Sequence, residues 1–207
     1  MNREVIIKGL KGVFYELEDH VIEQLLVFSE NIKLKKGTEI IKQGEGHDFI
    51  YLIISGCIKS YYFNEGKEIC TWFAFENGIA TTINTFYGKI SNETVVTLED
   101  SHLVKINTKM FRYLESKEIS VSHLVSNIIA NHASFLEGNM YLRSLKSKDR
   151  YLTLLDEKSK NLDRIPLKDI SSFLGIRKET LSRIRGGNYK VIDSKKTSHS
   201  NRNILFS

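Results

Sequence analysis

The segment from Leu167 to Arg185 constrains the fold more than any other part of the chain, because small, apolar and turn-forming residues fall in it at fixed positions. Ser171 stands where two packed helices would approach most closely, and Gly175 stands where a sharp turn would join them. Pro166 can precede or begin a helix without the loss of an internal hydrogen bond. The pattern predicts a helix-turn-helix, with an ordinary helical hairpin as the alternative. Its apolar positions are Ile170, Leu174, Ile176, Leu181 and Ile184.

Polar side chains occupy the outer face of the second helix of this motif. A helix that enters the major groove of DNA presents such side chains near its N-terminus. Arginine can donate two hydrogen bonds to guanine, glutamate can accept one from cytosine, and lysine and serine suit phosphates or bases. We therefore expect double-stranded DNA as a partner. The candidate contact residues are Arg177, Lys178, Glu179, Thr180, Ser182, Arg183, Arg185 and Lys168.

Charge is distributed unevenly along the chain. Residues 1–142 contain 14 Lys and Arg against 18 Asp and Glu, a net of −4, whereas residues 143–207 contain 16 against 7, a net of +9. A basic module joined to a mildly acidic one favours a polyanionic partner for the C-terminal part. The alternative is a basic tail that is only solvated surface.

Between Ile32 and Ile106 the chain reads as short β-rich runs separated by glycine turns. This spacing predicts an antiparallel sandwich or jelly roll, preceded by an amphipathic helix within residues 14–31. The fold class is therefore α+β. The clearest predicted strands are Thr38–Lys42, Phe49–Ile54, Cys57–Phe63, Glu68–Phe75, Thr94–Leu98 and His102–Ile106.

Apolar residues then recur at helical spacing from about Thr108 to Leu145, which predicts one long helix. Its apolar stripe is broad enough to pack partly on the β-region and partly on the same helix of a second copy. His132 is interpreted either as a ligand or pH sensor, or as a polar residue that sets the helix register. The candidate dimer residues are Val121, Val125, Ile128, His132, Phe135 and Leu142.

Composition and the absence of targeting patterns limit which classes of protein the sequence can represent. No apolar run approaches the ~20 residues of a membrane span, and the N-terminus lacks the pattern of a secretory signal, so we expect no membrane partner and a cytoplasmic location. Cys57 and Cys70 have no metal-type spacing, and reduced thiols are the simplest interpretation, with a redox role left open. We expect no cofactor, no bound metal and no catalytic residue.

Two stretches, KKGTEIIKQGEGHDFIYLIISGCIKSYYF and KDRYLTLLDEKSKNLDRIPLKDISSFLGIRKETLSRIR, resemble the bacterial Crp/Fnr-type regulators, the family of the catabolite activator protein. The resemblance implies a cyclic-nucleotide-binding-like β-roll (jelly roll) at 1–107, a linking and dimerisation helix at 108–145, and a helix-turn-helix domain with a basic tail at 146–207. It implies transcription regulation by a homodimer on a palindromic operator, with RNA polymerase as a further partner. In that motif, Lys178, Glu179 and Arg183 match the family's base- and phosphate-contacting positions.

The chain departs from the cyclic-nucleotide binders of that family where they clamp the cyclic phosphate. The corresponding region, FENGIATTINTFYGKISNETVV, lacks their Gly-Glu pair and has Asn92-Glu93-Thr94 where an Arg and a small residue are expected. Because a carboxylate repels a phosphate, we expect that the effector, if there is one, is not cyclic AMP. The N-terminal cysteine cluster of the family's iron–sulfur oxygen sensors is also missing.

Two other functional classes remain as alternatives. A jelly-roll metal enzyme would need several histidines and a carboxylate inside the barrel, and only His102 lies in a predicted strand, with His47 in a turn. A ligand-sensing module that does not bind DNA would have no use for the polar second helix. Residues 188–207 are expected to form either a rudimentary β-wing or a loose basic tail.

Overall fold

The computed structural model describes residues 3–158 and 161–187, with the backbone alone at residues 5, 157 and 158. In this part of the chain, strands form two four-stranded antiparallel sheets. The first has the order β1 (Ser29–Leu34), β8 (Ser101–Asn107), β3 (Phe49–Ser55) and β6 (Ile79–Ala80). The second has the order β2 (Glu39–Ile41), β7 (Thr94–Thr97), β4 (Ile58–Asn64) and β5 (Lys67–Ala74).

Helices flank the sheets on both sides. The N-terminal and central helices are α1 (Arg3–Val13), α2 (Asp19–Val27), the short α3 (Ile83–Phe86), α4 (Thr108–Glu115) and α5 (Ile119–Ser144). The C-terminal helical unit consists of α6 (Ser147–Lys158), a 3₁₀ turn (Leu162–Arg164), α7 (Leu167–Leu174) and α8 (Lys178–Gly186). The two predictions for residues 188–207, a rudimentary β-wing or a loose basic tail, concern a segment outside the described residues.

Strand β3 shows how the layers are arranged. Successive side chains of a strand point to opposite faces. Tyr51 and Ile53 are buried between the two sheets, whereas Ile50 and Leu52 are buried under a layer made by α1, α2, α4 and the start of α5. Because both faces of β3 are covered, its sequence is a nearly continuous apolar run rather than an alternating one.

The outer face of the second sheet is covered by the C-terminal helical unit. One continuous cluster, called here the shared cluster, joins the two. Apolar burial of this kind is the main stabilising contribution to a fold, so the β-sandwich and the C-terminal unit stabilise each other. From the sandwich side the shared cluster contains Cys57, Cys70, Phe73, Phe75 and Leu98, and from the helical side Tyr151, Leu154, Ile170, Phe173, Leu174 and Leu181.

The predicted α+β class with an antiparallel β-sandwich is confirmed, and every predicted strand overlaps an observed one. The single entry helix within residues 14–31 was wrong in extent. The helix in this range, α2, covers only Asp19–Val27, and Ser29 already belongs to β1. The sequence interpretation overlooked α1, whose buried Ile6 and Leu10 recur at a helical spacing of four, a spacing that the buried Phe14 continues just after the helix ends.

The single helix predicted from Thr108 to Leu145 is also wrong, because the chain breaks it into α4 and α5 at Ser116–Glu118. Phe111 and Leu114 of α4 are buried against the N-terminal helices. Val121 of α5 must reach the same cluster from a different direction, and the turn allows both helices to bury their apolar sides.

Candidate nucleic-acid interface and adjoining cleft

Helices α7 and α8 meet at a tight turn whose geometry is fixed by Gly175. This residue ends α7 in the left-handed backbone conformation, with φ 63° and ψ 38°. Residues that have a Cβ rarely adopt this conformation. Behind the turn, Ile170, Leu174 and Leu181 are fully buried in the shared cluster, and Ser171 is nearly so. The apolar and small positions singled out between Leu167 and Arg185 therefore lie where the sequence pattern expects them.

Arg150 on α6 connects this turn to the end of α5, a role that the sequence did not indicate. Its guanidinium donates to three backbone carbonyls: Nε to Leu145 at 2.9 Å, Nη2 to Arg143 at 2.6 Å and Nη1 to Leu174 at 2.9 Å. Carbonyls at the C-terminal ends of helices lack partners within the helix, and arginine satisfies them well. One side chain thus ties the C-termini of α5 and α7 together.

The outer face of α8 is open to solvent. Six of the eight candidate DNA-contact residues lie exposed at the start or along the outside of this helix, Lys168 is exposed on α7, and Thr180 is half-buried. Among these residues, the ion pair that the described structure contains is a long one, from Arg185 to Asp163 at 4.0 Å. The cationic groups are therefore mostly available to an external anion. The six are Arg177, Lys178, Glu179, Ser182, Arg183 and Arg185.

An ion pair buried beneath α7 anchors the C-terminal helical unit to the β-sandwich. Lys59 Nζ on β4 donates to Asp169 Oδ1 on α7 at 2.8 Å and also contacts Glu68 on β5. Burial lowers the pKa of Lys59, but the hydrogen bonds to Asp169 and Glu68 outweigh this effect and raise it. Ser172 adds a polar contact, because its Oγ accepts from Cys70 N at 2.9 Å. Lys59 is therefore held as a cation between the two parts.

A second polar link lies at the edge of the same contact. Arg164 binds both carboxylate oxygens of Glu76, with Nη2–Oε1 at 2.7 Å and Nη1–Oε2 at 2.8 Å, and it also pairs with Glu99. The hydrogen bonds from Arg164 lower the pKa of Glu76 to about 2. This bidentate geometry, with two parallel hydrogen bonds, is the most specific arrangement of an arginine and a carboxylate.

Cys57 and Cys70 are free thiols buried in the shared cluster. Burial raises the pKa of Cys57 to about 12 and also raises that of Cys70 well above its ordinary value. Because the thiolate is the reactive form, both side chains behave as small apolar groups.

Helix α5 buries much of the apolar stripe that the sequence assigned to a dimer. Val121, Val125, Phe135 and Leu142 are already covered within one copy of the chain, and Ile128 and His132 are partly covered. A helical stripe has the same pattern whether it packs on its own chain or on another copy. The apolar side chains that α5 leaves exposed are Ile119, Ile129, Leu136, Met140 and Tyr141.

A cleft of about 1950 Å³ lies between α5 and the β-sandwich. Glu93, just before β7, lines it and accepts hydrogen bonds from Ser60 Oγ at 2.7 Å and Trp72 Nε1 at 3.1 Å. His132 reaches the same cleft from α5. Burial lowers the pKa of His132, which favours its neutral form.

The histidines weighed as metal ligands have other partners. His102 contacts Asn31, and His47 Nε2 lies 2.8 Å from the Tyr51 hydroxyl. Within residues 3–158 and 161–187, there is no group of three His, Cys, Asp or Glu side chains that could hold a metal ion. None of the helices in the described ranges is long and apolar enough to span a bilayer.

This architecture is similar to that of known proteins. Residues 31–118 match the cyclic nucleotide-binding domain family. The HTH-type transcriptional regulator ArcR of Staphylococcus epidermidis is 26% identical over 162 residues, which cover 72% of this chain and 71% of ArcR.

Solved structures extend the likeness beyond that domain. FixK2 from Bradyrhizobium japonicum has a TM-score of 0.68 at 17% identity, over 76% of this chain and 83% of FixK2. The catabolite activator protein of Thermus thermophilus has a TM-score of 0.54 at 17% identity, over 84% of this chain and 85% of that protein. At such identities the likeness is one of fold. Residues 31–118 thus match the cyclic nucleotide-binding domain family, and the chain shares the fold of FixK2 and of the catabolite activator protein.

Proposed function

We propose that this protein is a transcription regulator that binds DNA through α7 and α8, which act as a helix-turn-helix. The observation that carries the proposal is the exposed polar face of α8, presented by a helix whose other side is buried against α6 and α7. Its relatives include ArcR, a transcriptional regulator of the helix-turn-helix type. This function is regulatory rather than enzymatic.

The exposed residues divide into two roles. Glu179 and Arg183 lie one helical turn apart and face the same direction, so both can reach the floor of the major groove. Glu179 would accept from a cytosine, and Arg183 would donate to a guanine or hold Glu179 in place. Lys168 and Arg185 lie beside this face, where phosphate contacts fix the position of a protein on DNA without selecting sequence.

Arg177, Lys178, Thr180 and Ser182 complete the proposed contact surface. Arg177 precedes the first residue of α8, and Lys178 begins the helix, so both lie at the end that enters the groove. Lys178 has a single ammonium group in place of the fork of an arginine, so it suits a phosphate better than a guanine edge.

The functional unit in this proposal is a homodimer on a palindromic operator. In this proposal the dimer contact lies on the exposed ridge of α5, formed by Ile129, Leu136 and Met140, because most of the dimer residues predicted from the sequence are buried within one copy. These three recur at intervals of seven and four, the spacing of a helical seam. A two-fold axis there would set two α8 helices to read half-sites ~34 Å apart. RNA polymerase is a further proposed partner, and an effector would act from the β-sandwich.

Selection of binding sites from a random DNA pool, with the full chain, tests this function. We expect a two-fold symmetric motif whose half-sites are separated by about one helical turn of DNA. Recovery of DNA with no sequence preference would leave only the electrostatic attraction of a basic surface, and the proposal would then be wrong.

A further inference from the structure

The cleft between α5 and the β-sandwich contains the carboxylate of Glu93, whose hydrogen-bond donors in the described part of the chain are uncharged. Ser60 on β4 and Trp72 on β5 lie directly opposite each other in the sheet, and both donate to the same oxygen, Oε2, of Glu93. Both donors are neutral. In the described part of the chain, no lysine or arginine forms an ion pair with Glu93. The carboxylate is therefore held in position while its charge is left uncompensated.

The rest of the lining does not supply the missing positive charge. Glu16 and Glu137 add two further carboxylates to the cleft. The lysine or arginine among its lining residues is Arg143, which lies ~16 Å from His132 along the axis of α5. Burial lowers the pKa of His132 and outweighs the opposing effect of the Glu93 charge, so its neutral form is favoured. The field in the cleft therefore favours cations and repels anions.

Unlike Glu93, a second polar residue of the cleft has no hydrogen-bond partner among the described residues for its side chain. Thr71 is the extra residue of a β-bulge, because Ser60 pairs with Trp72 and Tyr61 pairs with Cys70. Its Oγ1 is buried without a hydrogen-bond partner among the described residues. Buried hydroxyls are nearly always hydrogen-bonded, and bulges commonly re-aim a side chain beside a functional site. Thr71 and Trp72 both line the cleft, and an indole is the aromatic group that best accommodates a cation.

From this arrangement we infer that the cleft binds a small molecule carrying an ammonium or guanidinium group, with that group against Glu93. The inference rests on the proposed function only in treating the cleft as the effector site. The charge preference is opposite to that of a site built for a cyclic phosphate. Glu93 supplies the counter-charge, Trp72 an aromatic wall, and Thr71 a hydroxyl that has no hydrogen-bond partner among the described residues.

Trp72 makes the inference directly measurable, because it is the single tryptophan of the sequence. Its emission is followed in the full chain during titration with three probes that share a ring and differ in charge: benzylamine, benzyl alcohol and benzoate. We expect benzylamine, a cation at neutral pH, to bind on the order of tenfold more tightly than benzyl alcohol, and benzoate more weakly than either.

Two variants assign the preference to one carboxylate. Glu93→Gln keeps an oxygen that can accept from Ser60 and Trp72, so it removes the charge with little change in packing, and it should abolish the advantage of benzylamine over benzyl alcohol. Glu137→Gln makes the same change of charge at an exposed position of the same cleft, and this variant should still bind benzylamine more tightly than benzyl alcohol.

The inference is overturned if benzylamine causes no saturable change in the wild type, if the three probes bind equally, or if the two variants behave alike. Because the titration contains no DNA, its failure is distinguishable from a failure of site selection. A chain that selects an operator but shows no charge preference would reject this inference alone, and the reverse result would reject only the proposed function.

Discussion

Lys59 Nζ on strand β4 lies 2.8 Å from Asp169 Oδ1 on helix α7, and the two side chains are only 7% and 2% exposed. The pair joins residues 110 positions apart in the sequence and lies between the β-sandwich and the C-terminal helical unit. An ion pair so far from solvent contributes little when intact but is costly to break from one side, because the remaining charge stays buried.

Replacement of this lysine should therefore be severe. Lys59→Met leaves Asp169 and Glu68 without their shared cation, and we expect the free energy of unfolding to fall by about 3–5 kcal/mol in urea titrations. The matched control is Lys35→Met, which removes an equally short Lys–Asp pair, at 2.7 Å to Asp100, from a solvent-exposed site. That control should remain close to the wild type. Equal losses in the two variants would show that burial of the Lys59 pair has no energetic consequence.

The pairing of Glu76 with Arg164 should make stability depend on acid pH. The folded pKa of Glu76 is about 2, below its ordinary value of 4.5. A carboxylate with a lowered pKa stabilises the fold above its unfolded pKa, and this contribution is lost as the pH falls through the folded one. The stability difference between the wild type and Arg164→Gln should therefore be largest above pH 4.5 and shrink toward pH 2. A difference independent of pH in urea titrations would rule out this linkage.

The exposed ridge on α5 should govern dimer formation. Leu136 is 50% and Met140 74% exposed in one copy, so lysine at both positions is tolerated by the fold but places charges in a shared seam. We expect the Leu136→Lys, Met140→Lys double variant to sediment as a monomer and to bind operator DNA weakly. Val27→Lys, at a 75% exposed apolar residue on α2, is the control and should keep the wild-type mass. An unchanged mass for the double variant would move the contact elsewhere.

Base reading and phosphate contact on α8 should be separable. Glu179→Ala should cost ~1–3 kcal/mol at one matched base pair and relax the preference there, because Glu179 is assigned to a base edge. Lys168→Ala should weaken binding to all sequences alike and lower the salt slope by about one unit, as loss of a phosphate contact does. Site selection with each variant is the measurement. Identical motifs from the wild type and Glu179→Ala would show that this helix does not read bases through Glu179.

Cyclic AMP should fail to bind tightly. By the sequence resemblance, Glu93 stands where the cyclic-nucleotide binders are expected to have an arginine for the phosphate. A missing charged contact typically costs ~1.5–3 kcal/mol, so affinity should fall roughly ten- to a hundredfold or more. Calorimetry on the full chain measures this directly. A micromolar or tighter dissociation constant would mean that other groups in the cleft compensate for the carboxylate.

Local patterns in the sequence predicted much of this architecture. Alternation and glycine turns placed the strands, and the spacing of Ser171, Gly175 and the apolar positions around them placed α7 and α8. These features depend on residues near one another in the chain, where periodicity and turn chemistry act.

What the sequence missed depends on long-range contacts. Nothing near Lys59 identifies Asp169 as its partner, and Arg150 gains its role only when the ends of α5 and α7 meet. The apolar stripe of α5 was real, but its pattern could not show that Phe135 packs into the sandwich while Leu136 faces solvent. Only the direction from which the sheets approach the helix decides this.

The covered outer face of the second sheet also bears on any attempt to produce the β-sandwich and the C-terminal helical unit as separate fragments. Cys57, Cys70 and Phe73 are hidden there by the C-terminal helical unit. A fragment cut after α5 would carry a sticky aromatic surface and two newly accessible thiols, prone to aggregate and to oxidise. The β-sandwich and the C-terminal helical unit are therefore not independent modules, because each covers an apolar surface of the other.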